Sequence, residues 1–252
     1  MRTTAILNLK GGVGKTTTAI YMGAILSQVA KQRVLLIDAD HQCNLTEFFE
    51  ADPNSGTLAE MLRNQAGYRI CIQNTSLEGL DIIPGSKGLM ALDLSSVESK
   101  NANVVCLRDM VGDIAALDLY DYILIDCPPA FTAASAAALV AADDVIIPIK
   151  LDAFSLSGMG NILEQITNMR QINDKLRVAG CLPTMWYKSK QILEAEQILR
   201  DSHLHIYPHI RRSPKVDDMT FSREVLTFKR AGSEIDYKTF VVEYVGGIGD
   251  AR

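Results

Sequence analysis

The chain has 252 residues, of which 48% are apolar and 22% are charged, and its formal net charge at pH 7 is −5. This composition is that of a globular protein with a sizeable core, and it excludes a disordered or fibrous chain. The acidic balance excludes a uniformly basic nucleic-acid binder. Residues 185–230 nevertheless contain nine Lys and Arg against six Asp and Glu, so the sequence allows a local basic face late in the chain.

The five cysteines are scattered and form no C-x-x-C pair, which is typical of reduced, mostly buried thiols. No apolar run reaches the ~18 residues that a membrane-spanning helix needs. The first predicted strand begins almost at once and leaves no room for a signal peptide. The sequence therefore predicts a cytoplasmic protein without stable membrane association.

The first motif is a glycine-rich loop that follows an apolar run at 5–9 and opens a segment with helical periodicity. Its residues are Lys10, Gly11, Gly12, Val13, Gly14, Lys15, Thr16 and Thr17. Glycines let several backbone N–H groups point at one anion, and the first turn of a helix adds further donors. In such a loop Lys15 reaches the β and γ phosphates of a nucleotide, and Thr16 binds Mg²⁺. The alternative, a glycine-rich turn without a ligand, leaves two neighbouring lysines with no anion between them.

Two acids, Asp38 and Asp40, end the second predicted strand, a continuous apolar run at 33–40. Runs that are apolar on both faces suit the interior of a parallel sheet, whose ligands collect at the carboxyl ends of the strands. We therefore expect both carboxylates close to the glycine-rich loop. The alternative for Asp40 is to cap the helix that is predicted at 44–49.

Asp126 ends another apolar strand and is followed, after Cys127, by two prolines that stiffen the turn. An acid here, together with a phosphate loop and an acid pair, is expected to hold a metal ion through water. The other predicted elements are helices at 57–62, 89–97, 104–117, 132–142, 156–172 and 235–245, and strands at 80–85, 144–149 and 178–186. With no repeat or linker, they predict one α/β domain over residues 1–252, with a doubly wound, mostly parallel sheet and helices on both faces.

Basic residues cluster late in the chain. They are Arg211, Arg212 and Lys215, joined by Lys188, Lys190 and Arg200 from the preceding segment. The sequence leaves two alternatives for this cluster. One is a solvated charged surface, which explains most clusters of this kind, and the other is contact with DNA phosphates. The histidines at 203, 205 and 209 lie in the same region, but no cysteine or acid accompanies them at the spacing of a metal site.

The glycine-rich loop departs from the standard phosphate-binding pattern, because Leu9 stands at the position of its first glycine. Its sequence K-G-G-V-G-K-T instead resembles the deviant Walker A motif of the ParA/MinD family of ATPases. The segment D-A-D-H-Q at 38–42 resembles the family's D-x-D-P-Q motif, with His41 in place of proline. The resemblance implies a P-loop NTPase fold, ATP and Mg²⁺ as cofactors, and ATP hydrolysis by attack of water on the γ-phosphate.

The resemblance also implies a role for each charged residue of these motifs. Asp40 would position the attacking water, while Asp38 would support the loop and the metal and Asp126 would hold the metal. Lys15 would neutralise charge on the transferred phosphate. Lys10 would reach across a two-fold interface to the nucleotide of the other subunit, so that ATP drives formation of a homodimer.

The segment 206–215 resembles the I-P-R-x-x-R segment of the chromosome and plasmid partition members, in which late arginines contact DNA phosphates. Arg212 and Lys215 fall at its two basic positions, with Arg211 beside them. Family members hold adenine with late loops, so the resemblance places adenine near Pro208, Arg212 and Met185.

These features favour a partition ATPase whose ATP-bound dimer binds double-stranded DNA without sequence preference and so associates with the nucleoid. A DNA-bound, ParB-like partner would stimulate its hydrolysis. The alternative is a MinD-like ATPase that positions a protein or binds a membrane, which would need a basic amphipathic terminal helix. Two further alternatives are a non-hydrolysing regulator and a reductase like the nitrogenase iron protein, for which Cys127 is a poor cluster ligand.

Overall fold

The computed structural model describes residues 1–95, 103–225 and 232–247. Its strands are β1 (Arg2–Ile6), β2 (Val34–Asp38), β3 (Gln73–Asn74), β4 (Leu80–Ile83), β5 (Tyr122–Asp126), β6 (Asp144–Lys150) and β7 (Arg177–Thr184). Its helices are α1 (Lys15–Ala24), α2 (Asn44–Phe48), α3 (Leu58–Leu62), α4 (Tyr68–Cys71), α5 (Gly88–Ser95), α6 (Cys106–Ala116), α7 (Ala133–Ala141), α8 (Ala153–Met169), α9 (Lys190–Arg200), α10 (Pro214–Ser222) and α11 (Gly232–Gly246). A π-helical turn, Ile25–Val29, extends α1.

The strands form one sheet in the order β3-β4-β2-β5-β1-β6-β7. Within the described chain, β3 runs antiparallel to β4, and every other neighbouring pair is parallel. This arrangement confirms the predicted doubly wound, mostly parallel sheet. The single domain over residues 1–252 stays a prediction, because 96–102, 226–231 and 248–252 lie outside the described residues.

The central strands are apolar on both faces because each face packs on its own layer of helices. In β2, Leu35 belongs to one hydrophobic core and Leu36 to the other. In β5, Ile123 and Leu124 divide between the cores in the same way. Since successive side chains of a strand point to opposite faces, a strand buried on both sides becomes a continuous apolar run.

The register of the central strands decides where the functional motifs meet. Strand β5 lies between β1 and β2, and Asp126 is opposite both Ile6 and Asp38. Parallel strands that end in register release their loops at the same edge of the sheet. The glycine-rich loop, the acid pair and the segment after Asp126 therefore start next to one another.

Some predicted boundaries differ from the structure. The strand predicted at 33–40 ends at Asp38, so Asp40 lies in the loop beyond it. The helix predicted at 89–97 is α5, which ends at Ser95, and residues 96–97 lie outside the described chain. Much of the tail at 246–252 also lies outside it. The segment 51–79 contains α4 and the short edge strand β3, which the sequence did not predict.

Gly85, just after β4, packs directly against the end of β2. A Cβ atom at this position would lie 2.9 Å from the Asp38 carbonyl oxygen and 3.1 Å from that of Asp40. The Gly85 N–H also donates to Thr46 Oγ1 at 2.8 Å. The backbone of the acid pair therefore has its observed position only because residue 85 has no side chain.

We expect Gly85→Ala to lower the free energy of unfolding by about 1–3 kcal/mol, because backbone atoms must move to accept the new methyl group. Denaturant unfolding measures the change. The matched control is Gly112→Ala in α6, where a Cβ meets no atom within 4 Å and alanine should stabilise the helix by up to about 1 kcal/mol. Equal effects of the two substitutions would contradict the close packing at Gly85.

Candidate active site

The glycine-rich loop connects β1 to α1 and is held by contacts to its backbone carbonyls. Gly14 caps α1 with φ +86°, a left-handed conformation that strains other residues. Thr18 Oγ1 donates to the Gly14 carbonyl at 2.7 Å, and Thr184 Oγ1 donates to the Val13 carbonyl at 2.9 Å. With these carbonyls engaged and the helix starting at Lys15, the loop and the first turn of α1 form a cradle of N–H groups suited to an anion.

The two lysines of the loop point to different partners. Lys15 is 7% exposed, and its Nζ donates to the Lys10 carbonyl at 3.0 Å. Burial lowers the pKa of Lys15, while the carboxylates of Asp126 and Asp40 oppose that shift. The Nζ of Lys10 binds both carboxylate oxygens of Asp152, at 2.7 and 2.9 Å. Lys15 thus lies inside the site, and Lys10 lies at its rim.

Asp126 carries a buried carboxylate that the protein does not satisfy. It is 1% exposed, and neither oxygen has a hydrogen-bond partner within the described chain. Burial raises its pKa well above the ordinary value, and the negative charge of Asp38 raises it further. Thr16 and Lys15 lie close enough to oppose that shift in part.

These surroundings fit a divalent cation. Mg²⁺ binds one or two protein oxygens and takes its other ligands from phosphate and water, and the Thr16 hydroxyl lies beside Asp126. A cation here would offset a buried charge that is otherwise expensive to leave unpaired. Since no three His, Cys, Asp or Glu side chains of the described residues form a metal-binding group, the remaining ligands would have to come from nucleotide and solvent.

Asp38 holds the loop after β2. Its Oδ2 accepts from the backbone N–H and the hydroxyl of Thr46, at 2.8 and 2.6 Å, and its Oδ1 accepts from the Asp40 N–H at 3.1 Å. Burial raises the pKa of Asp38 to about 6, and these hydrogen bonds oppose the shift. Both oxygens are thus engaged within the protein. Direct metal ligation by Asp38 stays a prediction, and its contacts favour support of the loop.

Asp40 does not cap α2, which was the alternative to a catalytic role. The N-cap of α2 is Cys43, whose side chain makes no capping hydrogen bond. The carboxylate of Asp40 instead accepts the Gln42 N–H on Oδ1 at 2.9 Å, and it is close enough to Lys15 to oppose in part the lowering of that residue's pKa by burial. It is Asp38 that binds an N–H in the first turn of α2. Asp40 therefore lies beside the glycine-rich loop, as the sequence predicted.

A cavity of about 300 Å³ adjoins the loop. Its lining residues are Gly14, Thr17, Lys150, Thr184, Met185, Tyr187, Ile210, Arg211, Arg212, Ser213, Val216, Asp217 and Tyr237. Met185 and Arg212 were both predicted near adenine and both line it. Pro208 was also predicted there, but it lines a different cavity with Arg200 and His209. The reason is that residues 206–211 run parallel to the last part of β7, with Ile206 opposite Cys181 and Arg211 opposite Trp186, so Pro208 lies short of the carboxyl end of that strand.

A family model described as an AAA domain matches residues 1–178. The chromosome partitioning protein ParA of Caulobacter vibrioides is 34% identical over 245 residues, which are 93% of this chain and 90% of that protein. The chain belongs to the ParA family of P-loop ATPases. Family membership confirms the predicted fold and the predicted enzyme class.

Two solved structures show what similar folds bind. An ATP complex of a McdA variant from Cyanothece has a TM-score of 0.84 and 27% identity, covering 99% of this chain and 96% of that one. Cobyrinic acid a,c-diamide synthase from Mycobacterium smegmatis, with bound ADP and magnesium, has a TM-score of 0.82 and 27% identity, covering 100% and 97%. The ATP of the first structure and the magnesium of the second are the cofactors that the sequence predicted.

The predicted basic surface divides into paired and unpaired cations. Arg211 makes a fork of hydrogen bonds to Asp236, and Arg200 donates to Glu196 at 2.6 Å. The exposed side chains of Lys188, Arg212 and Lys215 form no ion pair with any described residue. The two paired arginines were predicted as DNA contacts on sequence position alone. That prediction stays untested, but their carboxylate partners offset their charge.

Two important contacts of this site had no local sequence signal. Asp152 binds Lys10 from 142 positions away in the chain, and Thr184 reaches the loop from the end of β7. Asp152 follows β6 and Thr184 ends β7, and the strand order alone brings the ends of these two strands close to the loop. The sole hint in the sequence is that both come at the carboxyl end of a predicted strand, where α/β sheets place their sites.

In the absence of nucleotide and Mg²⁺, we expect Asp126→Asn to increase the free energy of unfolding at pH 8 by on the order of 1 kcal/mol or more, because it removes an unpaired buried charge. A folded-state pKa above the unfolded value means that stability falls as pH rises through it. The gain should therefore shrink at pH 5. Urea unfolding at both pH values measures it, with the exposed Asp113→Asn in α6 as control. Destabilisation of equal size at both pH values would contradict the assignment.

Proposed function

We propose that residues 10–17 bind the phosphates of ATP and that Thr16 and Asp126 hold the accompanying Mg²⁺. The observation that carries this proposal is the Asp126 carboxylate, which is buried, makes no hydrogen bond of ordinary length with the described chain and lies beside the Thr16 hydroxyl. Bound Mg²⁺ supplies positive charge to the phosphates. The cavity that Met185 and Arg212 line would receive adenine and ribose.

Hydrolysis in this site depends on positioning and on charge neutralisation. The Nζ of Lys15, which lies against the Lys10 carbonyl, would turn to the β and γ phosphates once these enter the loop. Asp40 would orient the attacking water, because its loop lies between the end of β2 and the phosphate cradle. Asp38 would keep Asp40 in place through the hydrogen bond that it accepts from the Asp40 N–H.

Lys10 would act between subunits. Lys15 already fills the standard lysine role, and Lys10 lies at the rim of the site with 37% of its side chain exposed. An exposed second lysine can supply charge to a γ-phosphate of another copy, so that ATP favours a two-fold dimer.

The Lys10 role predicts a specific loss. Lys10→Ala should retain ATP binding, because Lys15 and the loop N–H groups remain, yet it should fail to dimerise with ATP. Light scattering with ATP, ADP or no nucleotide measures the mass, and fluorescent-nucleotide titration measures binding. The exposed Lys175→Ala, located before β7 at the opposite edge of the sheet, is the control. An ATP-dependent dimer of wild-type affinity in Lys10→Ala would refute the proposed role.

The basic side chains beside the nucleotide cavity would bind DNA. Lys188 follows β7 and Lys215 is in the first turn of α10, so both lie near the carboxyl edge of the sheet. Neither lysine forms an ion pair with a described residue, so no carboxylate of the described chain competes with a DNA phosphate for its charge. A chain of net charge −5 would bind a polyanion only through such a local patch, and a dimer would double it.

Together these features support an ATP-driven partition ATPase. Its ATP-bound dimer would bind double-stranded DNA without sequence preference, and a DNA-bound ParB-like partner would stimulate hydrolysis and release. Such a protein would associate with the nucleoid while ATP is bound. No helix among the described residues is long and apolar enough to span a membrane.

The DNA assignment is tested with the double variant Lys188→Ala, Lys215→Ala. With ATP, its binding to unrelated duplex DNA should be much weaker, and the log-log salt slope should fall by about two per subunit. ATP binding should persist, because neither lysine lines the nucleotide cavity. Fluorescence anisotropy at several salt concentrations measures both properties.

The control for DNA binding is Lys31→Ala, Lys175→Ala, which removes the same charge from the opposite edge of the sheet. Wild-type DNA binding by the Lys188 and Lys215 variant would contradict this surface. ATP-dependent dimerisation without any DNA binding would instead favour the alternative of an ATPase that positions a protein or binds a membrane, and vesicle sedimentation with ATP would separate those two.

A further inference from the structure

His41 occupies a tight turn that carries Asp40. The Cys43 N–H donates to the Asp40 carbonyl at 3.0 Å, which makes residues 40–43 a β-turn with His41 at its second position. The Gln42 N–H donates to Asp40 Oδ1 at 2.9 Å and further fixes the turn. Proline favours the second position of common β-turns, but other residues adopt it too. The backbone at residue 41 is therefore one that proline could also adopt, and the difference that histidine makes is its imidazole side chain.

The imidazole of His41 faces the Asp40 carboxylate. Its Nδ1 lies 3.6 Å from Asp40 Oδ1, and its Nε2 lies 2.9 Å from Nε2 of the Gln42 side chain. The ring is 32% exposed, whereas the Asp40 side chain is 9% exposed. Solvent can therefore exchange a proton with the ring, while the carboxylate is largely shielded from it.

The other charged groups around this turn are few. Asp38 lies behind Asp40 at the end of β2, and Lys87 approaches from the segment before α5. Lys15 approaches Asp40 from the glycine-rich loop. Within the described chain, Asp40 is the one acidic side chain at ion-pairing distance from this ring. A change in its charge would therefore act first on Asp40.

We propose that His41 is a positioning residue that makes the action of Asp40 depend on pH. This inference rests on the proposed function, in which Asp40 orients the attacking water. A neutral imidazole leaves the carboxylate able to accept a hydrogen bond from water. An imidazolium attracts Asp40 Oδ1 by its charge and so reduces the ability of that oxygen to accept a hydrogen bond from water. Histidine is the side chain whose unperturbed charge change falls between about pH 5 and 8. Turnover therefore decreases as the ring gains a proton.

The test uses His41→Pro, which suits the turn and removes the imidazole. Basal ATP turnover is measured from pH 5.5 to 8.5 for the wild type and for His41→Pro. We expect wild-type kcat to be about threefold to tenfold lower at pH 5.5 than at pH 8, with a KM for ATP that changes little. The dependence should be weaker in His41→Pro than in the wild type, and the part that remains belongs to Asp38, whose pKa burial raises to about 6. The control is His203→Asn, an exposed histidine with φ +61° that asparagine tolerates, and it should retain the wild-type profile.

A second readout needs no turnover. The ring resonances of His41 are recorded by NMR at pH 8 for the wild type and for Asp40→Asn. Loss of the facing carboxylate should move these resonances, because Nδ1 lies 3.6 Å from Asp40 Oδ1, whereas those of the exposed His203 should stay in place. Identical His41 resonances in the two proteins would overturn the contact.

The outcomes distinguish failure of the His41 inference from failure of the proposed function. Turnover that Asp40→Asn abolishes, together with equal pH profiles in the wild type and His41→Pro, would overturn the His41 inference and leave the proposed function intact. Turnover that survives in Asp40→Asn would overturn both. An unfolded His41→Pro protein, detected by circular dichroism, would show that the turn is not as described, and His41→Gln would then supply the pH profile.

Discussion

The site depends on the register in which β5 pairs with β1 and β2. Ile6, Asp38 and Asp126 lie side by side where these strands end. Because the strands are parallel, their following loops leave the same edge of the sheet, and three motifs that are far apart in the chain meet there. A shift of one residue in any of the strands would exchange its buried faces, so the two hydrophobic cores that enclose the sheet also keep the functional residues in place.

The same register creates an electrostatic conflict. Asp38 and Asp126 are both buried, the negative charge of Asp38 raises the pKa of Asp126, and the nearby Lys15 is itself buried. Asp38 is stabilised by Thr46 and the Asp40 backbone, whereas Asp126 makes no hydrogen bond of ordinary length with the described chain, and the nearby Thr16 and Lys15 offset its burial only in part. A protein that stores an unpaired charge loses stability unless a ligand compensates it. Binding of a cation with nucleotide phosphates would relieve that conflict, which ties folding stability to occupancy of the site.

Fewer of the basic residues outside the site are unpaired than the sequence suggests. Of the basic residues that cluster late in the chain, Arg200 and Arg211 hold the structure together through Glu196 and Asp236. Lys190 pairs with Glu194, and of the unpaired Lys188, Arg212 and Lys215, Arg212 lines the nucleotide cavity, where a change in nucleotide or in dimerisation would alter how it is presented. A weak patch on an acidic protein would bind DNA detectably only when two copies act together. That property suits a switch between bound and released states.

Much of this protein could be predicted from its sequence because the relevant signals are local. The glycine-rich loop, the acids at the strand ends and the apolar runs of a doubly buried sheet each occupy a few consecutive residues. Other features needed the tertiary structure: Asp152 as partner of Lys10, the close approach of Gly85 to Asp38, the pairing of Arg211 with Asp236, and the location of Pro208 away from the cavity. These contacts join residues on different elements. Their distances depend on strand order and packing, and no pattern within a short stretch of sequence records them.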